Sequence, residues 1–126
     1  MAETLVKIVA WVGSSLKDFK EFPSPVQNEM GYDLYLAQLG DMSHHTKPLK
    51  GFSGAEVLEI RDNHLGDTYR VVYTVRFKDA IYVLHAFQKK SKHGIATTKQ
   101  DIEIIHQRLK RAEQYHFEWL AEQGEK

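Results

Sequence analysis

Cysteine is absent from the 126 residues, proline occurs only three times, and the formal net charge is zero. Without cysteine there is no disulfide framework, no thiolate metal site and no thiol nucleophile, and the composition fits a reducing compartment. Cytoplasm is the expected location. No apolar run approaches the roughly 18 residues needed to span a bilayer, and no basic-then-apolar leader opens the chain. Neither membrane insertion nor export is expected. Hydrophobic residues make up 42% and charged residues 27%, an ordinary globular balance at a length that usually builds one core. Residues 1–126 therefore read as a single domain.

The zero charge hides a pattern. Residues 44–112 hold 13 Lys or Arg against 7 Asp or Glu, whereas the acidic side chains outnumber the basic by three in each flanking segment. A neutral molecule with a +6 middle can present a local positive field, which is what phosphate capture requires at cellular Debye lengths.

Leu5 to Val12 is rich in β-branched residues and bounded by Gly13-Ser14-Ser15, which predicts a first strand. Ser15 is placed to cap a short helix through Glu21, closed by Pro23. Ser24-Pro25 opens a second helix with the stripe Val26, Met30, Leu34, Ala37 and a stop at Gly40. Asp41 to Gly54 has no sustained period and reads as a loop bearing Lys47 and Lys50.

Three period-two segments follow: Glu56–Arg61, Tyr69–Phe77 and Ala80–Lys89. They predict an antiparallel meander with Tyr69, Val71, Tyr73, Val75 and Phe77 facing the core and Arg70 on the other side. A loop of even length would pair Arg70 with Phe87 and Val72 with His85, and would gather Arg70, His85, Phe87 and Lys89 on one face. An odd loop with a bulge would shift that register. Thr98 with Asp101 predicts a capped helix whose inner face is Ile102, Ile105, Leu109 and Ala112, with Lys99, Arg108, Lys110 and Arg111 outward. The expected fold class is α+β, an antiparallel sheet with helices packed on one face. Residues 113–126 form an acidic and aromatic extension that continues the last helix and either packs, covers the cleft or meets a partner.

Tyr69-Arg70-Val71-Val72-Tyr73, then Val83 to Lys92, joined by Lys47 to Gly51 and Leu58 to Arg61 in that order, resemble a RelE/HigB-type toxin of a type II toxin–antitoxin system. The nearest likeness is the phage-derived HigB-like branch of the RelE/ParE superfamily, over residues 5–112. The resemblance implies a RelE-like fold, a ribosome-dependent messenger-RNA endoribonuclease, and a cognate antitoxin, often with a helix-turn-helix domain of the HigA-like kind. The expected partners are thus an antitoxin, the ribosome and mRNA, with no membrane and no cofactor.

RNA can be cut by its own 2′-hydroxyl, which needs proton removal, charge stabilisation and help for the leaving oxygen. No carboxylates are spaced for two metal ions, the seven histidines are scattered, and the adjacent side chains of His44 and His45 would rarely converge on one ion, so no metal site is expected. Arg70 is the leading candidate, because its planar fork can hold two phosphate oxygens, and Arg70→Ala is expected to abolish toxicity while leaving the fold intact; the plain alternative is a sheet-face arginine paired with Glu59 or another carboxylate. Lys89 shares its inferred face. Lys50 and Lys47 offer a cation, or a base if a crowded positive cleft lowers a pKa; equally, they are idle loop lysines. His93 is placed as a proton donor beside Lys92. Lys90 and Lys92 are RNA-binding candidates, as is Arg61, which either binds phosphate or pairs with Asp62 or Asp67. His85 either stacks a base or is a packed ring. Two other functions stay open on the same scaffold: a ParE-like binder of a topoisomerase, and an inactive remnant that keeps only antitoxin recognition.

Overall fold

The computed structural model describes residues 6–52, 54, 56–89 and 97–124. In chain order the elements are β1 (Ile8–Trp11), α1 (Ser15–Lys20), α2 (Ser24–Gln38), β2 (Thr46–Pro48), β3 (Val57–His64), β4 (Asp67–Thr74), β5 (Ala80–Lys89) and α3 (Lys99–Gly124). One sheet has the strand order β1-β5-β4-β3-β2. The α+β class is as expected, but the sheet is mixed, because β1 runs parallel to β5 with Ile8 opposite Ala80.

The helices form where their local signals place them. α2 carries proline in its first turn, and Val26, Met30, Leu34 and Ala37 are all buried. Its end is closed by a Schellman pair: Asp41 N–H donates to the Leu36 carbonyl and Gly40 N–H to that of Ala37, with Gly40 at φ +85°. In α1 the capping differs from expectation. Ser14, not Ser15, precedes the helix and its hydroxyl donates to Asp18. The Ser15 hydroxyl instead donates to the Val83 carbonyl, tying the helix to β5.

Between α2 and β3, the expected loop contains a short strand. Thr46–Pro48 pairs antiparallel with β3, Lys47 opposite Glu59. β3 continues to His64, three residues past the predicted end, and turns into β4 through Leu65 and Gly66, both at positive φ, a two-residue hairpin.

Register is where the sequence reading is tested most finely. Arg70 does face Phe87, and Val72 faces His85. At the turn end Tyr73 lies opposite Val83, so the irregularity between Val72 and Tyr73 adds one residue, Leu84, to β5. The turn has one register and the bulge supplies the other.

The larger correction concerns layers. α1 and α2 pack on Leu58, Ile60, Tyr69, Val71, Tyr73, Ile81 and Val83, whereas α3 packs on Val57, Val72, Tyr82 and Leu84 through Ile105, Leu109 and Ala112. Helices therefore cover both faces. Alternation along β4 and β5 puts large apolar groups on each side, and two apolar faces need two covers. Phe77, expected with Tyr69 and Val71, lies on the α3 side against Tyr82 and His116.

α3 starts on its predicted cap. The Asp101 N–H donates to the Thr98 hydroxyl, which in turn donates to the Asp101 carboxylate. The acidic and aromatic stretch continues the helix as expected, through to Gly124, and His116 packs with Phe77, Tyr82 and Trp119. Arg108, expected outward, turns inward instead. It donates to the Leu84 carbonyl at 3.0 Å and to Ser14 Oγ at 3.0 Å, and so joins α3 to the β1–α1 turn. Gly13 makes room for it, since a Cβ there would stand 2.7 Å from Arg108 Nε on a backbone at φ +60°.

If α3 is a structural cover, Ile105→Ala should cost about 2–5 kcal/mol in urea unfolding. Phe117→Ala, at a position 75% exposed, should stay within about 0.5 kcal/mol of the parent. Equal effects of the two substitutions would contradict this packing.

Candidate functional site

On the α3 side of the sheet, beyond the first turn of that helix, β2 and β3 leave a cleft of 610 Å³. Its walls carry Lys47, Lys50 and Arg61 together with His44 and His45, and Glu59, Thr97 and Ile102 lie at its inner end. Period two along β3 puts Glu59, Arg61 and Asn63 on this face. The loop and β2 bring Lys47, Lys50 and the histidines to it.

The inner end is a buried ionic cluster. Glu59 is 4% exposed. One of its oxygens accepts from Arg61 Nε at 2.8 Å; the other accepts from the Thr97 hydroxyl at 2.6 Å and lies 3.6 Å from Arg70 Nη1. Arg70 Nη1 also donates to Thr97 Oγ1 at 3.1 Å. A single carboxylate thus sits between two guanidiniums, on neighbouring strands at opposed positions 61 and 70. Burial pushes the Arg70 pKa down and Glu59 opposes that shift; an arginine remains charged regardless.

This arrangement corrects the leading expectation. Arg70 has no exposed surface. Arg70 lies on the sheet face that α3 covers and is bonded to Thr97 ahead of that helix, so it is not a cation on an open sheet. The Glu59 pairing, noted at the outset as the plain alternative, is the one observed. Its removal would leave the buried Glu59 carboxylate with Arg61 and Thr97 but without its buried countercharge, so Arg70→Ala is not structurally silent. Arg61 takes the exposed place: its side chain is 47% accessible, and its partner is Glu59, not Asp62 or Asp67. Lys47 and Lys50 do line the same cleft.

Lys89 is half-buried on the α3 face. It lies opposite Thr68, itself opposite Asn63 of the cleft, hence about 10 Å away across two strand spacings. Lys90, Lys92 and His93 lie outside the described residues. His85 is buried, stacked on Phe87 with ring centroids 4.5 Å apart, and is therefore a packed ring and no platform for a base. Arg108, which can only donate, approaches Nδ1 at 3.4 Å, and Nε2 meets Asp101 at 2.9 Å. Burial lowers the His85 pKa, against the pull of Asp101. Burial would raise that of Asp101, but its bonds to Thr98 and His85 outweigh this and hold it low.

The sequence reading passed over Glu59, except as a partner for Arg70, and over His44 and His45, considered only as metal ligands. The signal for Glu59 was available: it shares a strand face with Arg61 at spacing two, and a carboxylate between strand arginines stands out as a pair. Thr97, five residues ahead of Ile102, gave no such signal. Among the described residues no three His, Cys, Asp or Glu side chains converge to hold a metal ion. None of the helices described is long and apolar enough to cross a membrane.

The family described as phage-derived protein Gp49-like matches residues 17–110. The chain belongs to the Gp49-like family. The matched stretch contains every residue of the cleft while leaving out β1 and the last turns of α3. No curated protein matches the chain. Among solved structures, the toxin–antitoxin complex RelBE2 of Mycobacterium tuberculosis is similar at 14% identity with a TM-score of 0.48, over 72% of this chain and 100% of that one.

Because His85 is held neutral in the fold, its pKa lies below the unfolded value of 6.5. Stability tied to it is complete above about pH 6.5 and is lost as pH falls toward the folded pKa. Urea midpoints measured at pH 7.5 and 5.5 should drop more for the parent than for His85→Gln. An identical drop in both would show that this ring does not titrate as described.

Proposed function

We propose that this Gp49-like protein is the toxin of a type II toxin–antitoxin pair of the HigB-like branch, and that it is a messenger-RNA endoribonuclease acting on the ribosome by metal-independent 2′-hydroxyl attack. The observation that carries this reading is the cleft itself, in which Arg61, Lys47 and Lys50 line one 610 Å³ space while Glu59 braces Arg61 from beneath. A scissile phosphate gains charge as its 2′-oxygen attacks, and fixed cations that need not reorganise are the most effective stabilisers of that charge. With Nε bound to Glu59, Arg61 keeps its two terminal nitrogens for phosphate oxygens. Arg70 is here a positioning residue, which holds Glu59 so that Glu59 can hold Arg61. Lys89, the last residue of β5, extends the proposed RNA path, and Lys90, Lys92 and His93, which follow it in sequence, are proposed to contribute to RNA binding.

Zero net charge sets the terms of binding. Few phosphate contacts give modest affinity for free RNA, so the ribosome presents the strand in this account. The proposed setting is the cytoplasm, with an antitoxin, in the proposal a helix-turn-helix protein of the HigA-like kind, as the neutralising partner.

Arg61→Ala should lower the rate of cleavage of ribosome-bound message by about 10²–10³ and relieve growth arrest; circular dichroism should show the fold kept, at a cost of about 1–3 kcal/mol for the Glu59 oxygen that loses its partner. Lys47→Ala and Lys50→Ala should each weaken RNA binding and lessen its salt dependence. Full toxicity with cut messages in Arg61→Ala would overturn the assignment of the cleft. Growth arrest with intact messages and stalled replication would instead favour the topoisomerase-binding function.

A further inference from the structure

The loop that delivers His44, His45 and Lys47 to the cleft is anchored from the opposite side of the sheet edge. Asp33, on the inner face of α2, has a side chain only 5% exposed, and its Oδ2 lies 3.8 Å from His45 Nδ1. That buried oxygen has no hydrogen-bond partner, an arrangement that costs free energy unless the carboxylate is kept for another purpose. Around it the loop is built from polar contacts: Ser43 Oγ and Thr46 Oγ1 are 2.7 Å apart, the His45 N–H donates to Ser43 Oγ, and the Arg61 N–H donates to the His45 carbonyl. His45 thus sits at the hinge between the Asp33 carboxylate and the cleft, with 48% of its side chain accessible.

We propose that Asp33 is a positioning residue that orients His45 as the general base of the cleft. This rests on the endoribonuclease reading above. An imidazole whose Nδ1 faces a buried carboxylate presents Nε2 on its opposite side, and the carboxylate both fixes the tautomer and stabilises the imidazolium that forms. The 3.8 Å separation is an open one, closed by a small ring rotation when substrate arrives. In the step itself, the 2′-hydroxyl proton passes to His45 Nε2 as the 2′-oxygen bonds to phosphorus. The bond from phosphorus to the 5′-oxygen breaks, and that oxygen takes a proton from water. The products are a 2′,3′-cyclic phosphate and a 5′-hydroxyl, and His45 returns its proton to solvent. Arg61, Lys47 and Lys50 balance the phosphate charge.

The groups that face this pair are of both signs. Glu29 acts on Asp33 from the same helix, and Asp62 from β3, itself influenced by His64 and His45. Arg61, Lys47 and His44 face His45 from the cleft. Burial raises the Asp33 pKa, and Ser43 and His45 oppose that shift only in part. Three carboxylates on the α2 side against the cleft's cations leave His45 at the boundary between them.

The test has two readouts on the full chain. In the first, ¹⁵N NMR of the His45 ring should show one dominant tautomer in the parent, with the proton on the Nδ1 that faces Asp33, and a mixture of both tautomers in Asp33→Asn. In the second, the rate of cleavage of ribosome-bound message should fall about 10-fold in Asp33→Asn and about 10²–10⁴-fold in His45→Ala. A tautomer balance unchanged in Asp33→Asn overturns the pairing. A changed tautomer balance with an unmoved rate overturns the base assignment and leaves Asp33 as a loop anchor. If the parent cuts no message at all, the endoribonuclease reading fails, and the base assignment fails with it; a parent that cuts normally while both variants keep its rate shows that the inference alone is wrong.

Discussion

A carboxylate buried between two arginines governs this molecule. Glu59 is almost fully shielded from water, and a charge so placed is tolerated only if it is paired and hydrogen-bonded on both oxygens. Arg70 and Thr97 satisfy one oxygen and Arg61 the other. Those partners come from β3, from β4 and from the approach to α3, so the same cluster sets how the helix start sits on the sheet and where the exposed guanidinium points. Structure and proposed chemistry are joined at that point, because whatever fixes Glu59 also fixes Arg61.

The second constraint is that the sheet is covered twice. β4 is buried from Tyr69 through Thr74 and β5 from Ala80 through Ala86, as central strands of a layered domain are. α3 closes the second face and leaves open only the margin at β2 and β3. The cleft exists where that cover ends. Loop residues at the margin are free to vary in chemistry while the sheet beneath holds their positions.

Much of this was legible in the residues. The stripe of α2, its glycine stop, the Thr98 cap and the pairing of Arg70 with Phe87 each follow from local rules with a short reach. What escaped was long-range. Whether Arg70 faces water or a helix depends on where α3 returns, and the apolar residues alternating with the first set, Val72, Tyr82 and Leu84, were the available warning that the other face was also a core. β2 was missed because three residues carry no period, and its pairing with β3 is what swings Lys47 toward Arg61. The inward turn of Arg108 depends on a gap at Gly13 that only the folded chain reveals. His44 and His45 were set aside as metal ligands because adjacent side chains rarely converge on one ion; their place at the cleft comes from the sheet edge and not from their spacing.

The central claim is that Glu59 and Arg70 form one buried electrostatic unit, and a double-mutant cycle measures it most directly. Unfolding free energies of the parent, Glu59→Gln, Arg70→Met and the double variant should give a coupling of about 2 kcal/mol or more, since each single change strands a buried charge that the double change removes. Effects that add to within about 0.5 kcal/mol would contradict the account.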